Sequence, residues 1–332
     1  MKIVVLNADS IKQVLSMKDT IAADKEALKI YSDKKSNIPL RANLDIPEHD
    51  GQSLYMYGYV APAKASGVKI VSVYPHNIER GLTSVPATMI TLNSETGEVN
   101  CLMDGTYLTQ LRTGAVAGAA TDELARKDAS IFALFGTGGQ AAAQLEAVLN
   151  VRNIKEVRVF DISAERRENF ARVMQEKFGP AFGVTIKAVA DAATAVQDAD
   201  IITTVTTAKQ AVFDGKLVKP GAHINGVGSY TPEMAEVPEY LVTHADKIYV
   251  DTWDGAVNES GDLIQPLKKG VLKESQITGE LGAKIAGKIP GRESDSEITF
   301  FETTGSAVLD LVVAQKVYEA AVKKGIGQVI EL

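Results

Sequence analysis

The residues with the clearest chemical potential lie in Ala133-Leu134-Phe135-Gly136-Thr137-Gly138-Gly139-Gln140-Ala141, between an apolar run and a stretch carrying Leu145 and Val148. Gly136 permits a tight turn, Gly138 lets backbone approach a pyrophosphate, and the small Ala141 lets helix and strand pack closely. Amides at the start of the following helix would hold the phosphates. The string is common as a bare pattern, and its placement between strand and helix gives it weight. Asp161, in Val159-Phe160-Asp161-Ile162-Ser163, follows Gly136 by 25 positions and ends the next strand. A carboxylate there accepts both ribose hydroxyls of NAD and repels the 2′-phosphate of NADP. Arg166 and Arg167 lie just beyond and leave NADP open, although at the start of a helix they read first as solvated residues.

Three cations lie in apolar or small surroundings: Arg41 after Ile38-Pro39-Leu40, Lys69 within Val68–Val73, and Arg112 in Leu111-Arg112-Thr113-Gly114. They are 28 and 43 residues apart, so only a fold can bring them together. Singly, each reads as a snorkelling or solvated side chain. Together they would clamp a carboxylate, the arginines as bidentate forks and the lysine as a movable ammonium.

The elements that must position these groups fall into two textures. Up to residue 125 the chain reads as mixed α/β: a strand at Lys2–Leu6, a helix capped by Ser10 or Asp19 and running through Leu28 and Ile30, then strands at Leu54–Val60, Val68–Val73 and Thr88–Leu92. Thr96-Gly97-Glu98 turns this last strand into a hairpin with Val99–Met103, and a helix from Tyr107 to Leu124 follows. From Asp128 the texture is strand, glycine-containing turn and helix in repetition. Six strands are expected, at Ile131–Phe135, Val157–Phe160, Thr185–Ala188, Ile201–Thr204, His223–Val227 and Ile248–Val250, with the pattern ending after Gly279. That is the count of a doubly wound parallel sheet of the dinucleotide-binding type. Ser306–Lys324, with Leu309, Val312, Val313 and Val317, is a helix expected to return to the first domain.

Composition excludes other classes of function. The 332 residues carry 42 acidic against 35 basic side chains, a net charge of −7 without long single-sign blocks, which favours neither nucleic acid nor anionic membrane as a partner. No apolar run is long enough for a secretory or membrane-spanning segment, and the lone Cys101 rules out an internal disulfide, so a cytoplasmic protein is expected. His49, His76, His223 and His244 lack ligand spacing, and no metal is expected; only His76, in Tyr74-Pro75-His76-Asn77, lies near the candidate substrate region. Trp253 reads as cover for a helix start, and Cys101 as a small buried residue.

The string from Asp104 to Ala115 resembles a signature of the ornithine cyclodeaminase and mu-crystallin family, as do Gly67-Val68-Lys69, Gly81–Val85, Gly136–Ala141 and Thr304-Gly305-Ser306-Ala307. The resemblance implies a homodimer in which residues 1–125 and 305–332 form a mixed α/β substrate and dimerisation domain, with a Rossmann domain, 126–304, inserted between them. It implies that Arg41, Lys69 and Arg112 hold an amino- or imino-acid carboxylate, with Lys69 catalytic. It also implies that Ser84, Arg112, Thr113, Gly139, Gln140, Asp161, Thr204, Val227, Gly228 and Thr303 line NAD, with Gly136, Thr137, Gly138, Ile162, Ser163 and Ser229 beside them in the same strings.

One departure bears on the reaction. Where cyclodeaminases carry a catalytic aspartate, this chain reads Val227-Gly228-Ser229-Tyr230-Thr231-Pro232-Glu233-Met234, with Tyr230 in the aspartate's place, Met234 in that of a lysine and Glu233 displaced by three positions. A phenol with a pKa of about 10 is no equivalent base. The expectation is therefore an NAD(P)-dependent oxidoreductase of a small α-amino or α-imino acid, foremost a reductase of a cyclic ketimine such as Δ1-pyrroline-2-carboxylate. The alternatives are an ornithine cyclodeaminase, an alanine-type dehydrogenase, and a cofactor-retaining binding protein like mu-crystallin.

Overall fold

The computed structural model describes all of residues 1–332, and the chain divides into two compact units, 1–112 with 306–332 and 113–305. In unit one the elements are β1 (Lys2–Leu6), α1 (Ala8–Val14), α2 (Met17–Ser32), β2 (Ser36–Asn37), β3 (Ala42–Ile46), β4 (Gly51–Val60), β5 (Ala65–Val73), β6 (Ala87–Asn93) and β7 (Val99–Asp104), and then the long helix α3 (Gly105–Leu124) begins. Unit two contains β8 (Ile131–Phe135), α4 (Ala141–Val151), β9 (Glu156–Phe160), α5 (Ala164–Phe182), β10 (Thr185–Ala188), α6 (Ala192–Val196), β11 (Ile201–Thr204) and β12 (His223–Gly226). It continues with α7 (Glu239–His244), β13 (Lys247–Val250), α8 (Trp253–Glu259), α9 (Gly261–Lys269), β14 (Gly279–Glu280), α10 (Leu281–Ile285) and β15 (Thr299–Glu302). The chain then re-enters unit one with α11 (Ala307–Lys324) and β16 (Gln328–Glu331).

Unit one is an eight-stranded sheet in the order β16-β1-β7-β6-β5-β4-β2, with β3 also paired to β4. Along β5 the buried positions are Ala65, Gly67, Lys69 and Val71, the inward phase of a period-two strand. Helix α11 packs against α2, β4 and β5, as expected of a helix returning to the first domain. The helix expected across residues 10–30 is two helices. Asn7 caps α1 and Ser16 caps α2, with Asp19 as the reciprocal partner of Ser16 in a capping box, so neither Ser10 nor Asp19 is the cap. Strand β3 escaped the sequence reading because four of its five residues are exposed, which removes the alternation that marks a half-buried strand.

Unit two is a fully parallel sheet, β10-β9-β8-β11-β12-β15-β13-β14, with the order reversing at β8. Alternation along β8 sends Phe132 and Leu134 into one apolar layer, with Leu145 and Val148, and Ala133 and Phe135 into the other, with Ile202 and Ile224. Both faces are therefore covered, as a doubly wound sheet requires. The sheet has eight strands rather than six, and the pattern does not end at Gly279. Four-residue β15 slots between β12 and β13, and its length and complete burial leave no periodic signal in the sequence. The division between units falls inside α3, at 112/113 instead of 125/126, and at 305/306 instead of 304/305. From Thr113 on, α3 bonds to unit two: Gln144 Nε2 donates to the Thr113 carbonyl, Asn225 Nδ2 to Thr121 Oγ1, and Arg152 to the carbonyls of Thr121, Asp122 and Ala125.

Candidate active site

Unit one buries a cluster of charges. Lys69, on the inward phase of β5, is flanked across the sheet by buried Met56 and Met89 and is 1% exposed. Its Nζ donates to Asp310 Oδ1 at 2.7 Å, and Arg112 Nε lies 2.8 Å from the same oxygen in an ion pair too bent for a hydrogen bond. Asp310 sits in the first turn of α11, where the helix dipole favours an acid. Arg41 is near enough for its charge to act on both Lys69 and Asp310. The three predicted cations thus share one acidic neighbour.

Burial, and then the adjacent Arg112 charge, lowers the Lys69 ammonium to about 7, against the stabilising pull of Asp310. Burial would raise Asp310, but Arg112 and Lys69 outweigh it and hold the carboxyl below its usual range. Asp24, on α2, is fully buried with neither oxygen hydrogen-bonded, and burial pushes it well above the ordinary carboxylate range despite the opposing Arg112 charge. Burial thus favours the neutral form of Asp24, and the three cations Arg41, Lys69 and Arg112 outnumber the acid they share, Asp310. Arg112 Nη1 is buried without an acceptor. A closed, net-positive cluster holding an unmatched guanidinium N–H suits a carboxylate.

Asp310 and Asp24 were missed from the sequence. Each is an acid in an otherwise apolar helix phase, Asp310 beside Leu309, Val312 and Val313 and Asp24 between Ala23 and Ala27, and that mismatch was the available signal.

Unit two carries the phosphate-turn geometry. Gly136 takes φ +100, and a Cβ there would lie 2.6 Å from the Val205 carbonyl, so only glycine fits. Gly138 has open space at its Cβ position, and α4 has no side-chain cap at its N-terminus, which leaves its first amides for an anion. Gln140 Oε1 is buried and unmatched. Asp161 Oδ2 accepts from Thr137 N and Oγ1, and its Oδ1 from Ser163 N. Arg166 Nη2 donates to Asp161 Oδ1 at 3.1 Å and Arg167 Nη1 to the Asp161 carbonyl at 3.0 Å, so both arginines attend the acid rather than simply facing solvent. Ile162 is 88% exposed beside it, an apolar platform for a flat ring. These residues fit a dinucleotide.

The remaining predicted cofactor residues divide by exposure. Gly139 lies in the turn and Thr113 keeps a buried hydroxyl without a partner, while half-buried Ser84 offers its carbonyl to Tyr74 N within unit one. Val227 and Gly228 follow β12. Ser229, in contrast, is wholly buried with its hydroxyl bonded to the Met234 carbonyl and the Asp262 amide, and Thr303 Oγ1 donates to Asp251 Oδ2 at 2.6 Å. Those two hydroxyls, and fully buried Thr204, hold the protein's own loops together. His223 is a core histidine between Thr299 and Asn225, lowered to about 3 by burial. His76 is exposed between Asp50 and Glu79. Burial pushes the Cys101 thiol up to about 12, and Trp253 is half-buried at the first position of α8.

A two-unit chain with a parallel dinucleotide-type sheet and a buried cation-rich cluster describes a class of nicotinamide-dependent enzymes. The chain belongs to the ornithine cyclodeaminase/mu-crystallin family, whose pattern it matches over residues 1–325. It is 39% identical over 328 residues to a Δ1-pyrroline-2-carboxylate reductase of Bacillus cereus, covering 98% of this chain and 99% of that protein. Among solved structures it resembles the Thermococcus litoralis Δ1-pyrroline-2-carboxylate reductase in complex with NADH and L-proline (TM-score 0.94, 38% identity, 98% and 99% of the two chains). It also resembles an archaeal alanine dehydrogenase dimer with bound NAD (TM-score 0.91, 33% identity, all of both chains).

Proposed function

We propose that this chain is an NAD-dependent oxidoreductase of small α-imino and α-amino acids whose main reaction is reduction of a cyclic ketimine, Δ1-pyrroline-2-carboxylate. The observation that carries the reading is the buried, net-positive cluster in which Asp310 joins Lys69 and Arg112 while Arg112 Nη1 keeps an unmatched donor. Arg41 and Arg112 hold the substrate carboxylate. Bound NADH supplies the hydride. Lys69, poised between ammonium and amine near neutral pH, delivers the proton that the substrate nitrogen takes up. Asp310 orients that ammonium and keeps it from losing its proton at still lower pH.

The cofactor edge of unit two comprises Gly136, Thr137, Gly138, Gly139 and Gln140 at the phosphates and Asp161, Ile162 and Ser163 at the adenosine ribose. NAD is preferred because Asp161 stands where a 2′-phosphate would be. A cytoplasmic homodimer completes the reading. No helix is long and apolar enough to cross a membrane, and β3 and β4 leave Leu44, Tyr57 and Tyr59 exposed on unit one.

Cyclodeamination needs a carboxylate to move protons in the loop after β12. Tyr230 replaces it, Glu233 is exposed, and Glu236 is held by backbone amides. The test is NADH oxidation with Δ1-pyrroline-2-carboxylate and its six-membered homologue, run beside ammonia release from L-ornithine with NAD and reductive amination of pyruvate. Imine reduction without ornithine deamination is expected. Proline and ammonia from ornithine without imine reduction would restore the cyclodeaminase, and preferential turnover of pyruvate with ammonia would point to an alanine-type dehydrogenase.

A further inference from the structure

Among the acids buried in unit two away from the substrate cluster are Glu236, Asp262 and Glu302, each 3% exposed or less, with buried Asp251 near Glu302. Their surroundings differ. Glu236 Oε2 accepts from Thr206 N at 2.7 Å and Thr206 Oγ1 at 2.8 Å, and Oε1 accepts from Val227 N at 3.2 Å and Gly228 N at 2.5 Å. Asp262 Oδ1 accepts from the amides of Glu236 and Val237, at 2.9 and 3.1 Å, and its Oδ2 has no partner. Glu302 Oε1 accepts from Ser260 Oγ at 2.7 Å, and its Oε2 has no partner.

Of these three, only Glu236 has donors on both oxygens, which suits the carboxylate form, while Asp262 and Glu302 each keep one oxygen free to hold a proton. Burial raises all three, and charge repulsion among them raises Asp262 and Glu302 further.

We propose that Glu236 is a positioning residue for the cofactor: its carboxylate ties the turn after β11, at Thr206, to the turn after β12, at Val227 and Gly228, and so sets the shape of the edge that receives the dinucleotide. In a parallel sheet the ligand lies beyond the carboxyl ends of the strands, which is where these two turns are. Gly228 makes the tie possible, because a Cβ there would lie 2.6 Å from Glu236 Oε2. The tie is itself anchored, Asp262 holding the Glu236 backbone and Ser229 Oγ accepting from the Asp262 amide. This inference rests on the reading of unit two as the NAD-binding part.

The test uses the full chain and its Glu236→Gln variant. A glutamine replaces one acceptor oxygen by an NH2 group facing protein donors, with little change of volume. Hydrogen exchange without cofactor should accelerate at 204–208 and 226–230 and stay unchanged in β8 and β9. Fluorescence titration should show the NADH Kd rising about tenfold, the scale of losing charge-assisted hydrogen bonds. KM for the imine at saturating NADH should hold within about twofold, a split that general loss of stability would not produce.

Unaltered exchange in those turns, or an unaltered NADH Kd, overturns the proposal. Should Glu236→Gln fail to fold, Thr206→Val removes one donor and keeps the charge. It should raise the Kd about threefold and speed exchange at 204–208, and unchanged values would count against the clamp. A wild-type chain that binds no NADH overturns the functional reading and, with it, Glu236's part in affinity. Unaltered exchange in a variant of an NADH-binding chain overturns the clamp alone.

Discussion

Lys69 Nζ donates to Asp310 Oδ1 across 2.7 Å, with both side chains closed to solvent and 241 residues apart in sequence. Lys69 is proposed to carry the proton, and its readiness to do so is set by this pair. Burial and Arg112 press the ammonium toward deprotonation, and Asp310 resists. In the Asp310→Asn variant the resistance is lost, so the Lys69 pKa falls below about 7. The protonated lysine is the active form, so the alkaline limb of kcat/KM should move to lower pH. A pH–rate profile measures it, and an unmoved limb would show that another group titrates.

Lys69→Ala and Arg112→Ala should each lower kcat/KM for the imine while leaving the protein folded. Removing one partner of a buried charge pair costs about 2 to 5 kcal/mol, so the fall should be at least about thirtyfold. Steady-state kinetics beside circular dichroism would check it. Near-normal kinetics in both would show that the cluster does not hold the substrate.

Asp161→Ser should move cofactor preference from NADH toward NADPH. The variant removes the carboxylate proposed to face the ribose and releases Arg166, which pairs with it at 3.1 Å, to meet a 2′-phosphate. Titration of both reduced cofactors gives the ratio of Kd values. A tighter NADPH complex in the unmodified protein would overturn the assignment.

Asp262→Asn should make folding stability less dependent on pH. Burial and the Glu236 charge raise the Asp262 pKa from 3.8 to about 8, so between those values the folded state holds a proton that the unfolded chain has released. Stability from this group is full below pH 3.8 and lost as pH rises to about 8. Asparagine keeps the Oδ1 acceptor and cannot ionise. Denaturant midpoints at pH 5, 7 and 9 should therefore show the variant gaining on the wild type up to about pH 8. A constant difference would mean that Asp262 does not titrate in that range.

The dinucleotide fingerprint was legible in one dimension because Gly136, Gly138, Ala141 and Asp161 belong to a single βαβ unit, where local backbone geometry dictates the residue types. Strands Ile131–Phe135, Thr185–Ala188 and Ile201–Thr204 have the expected bounds for the same reason: short apolar runs between turns leave few alternatives. Strand alternation puts Lys69 on the same face as Val71, but that this face is the buried one was decided by the packing of α11 on the sheet. What joins Lys69, Arg112 and Asp310, or Glu236 to Thr206 and Gly228, is the packing of elements far apart in the chain. Spacing carries no record of such pairs, and even where an acid interrupts an apolar helix phase, as Asp310 and Asp24 do, the sequence does not name its partner. Burial turns Asp310 into a partner, pushes Asp24 toward its neutral form and makes Glu236 a tie between turns, because removal from water makes every unmatched charge costly and so obliges the fold to place its neighbours.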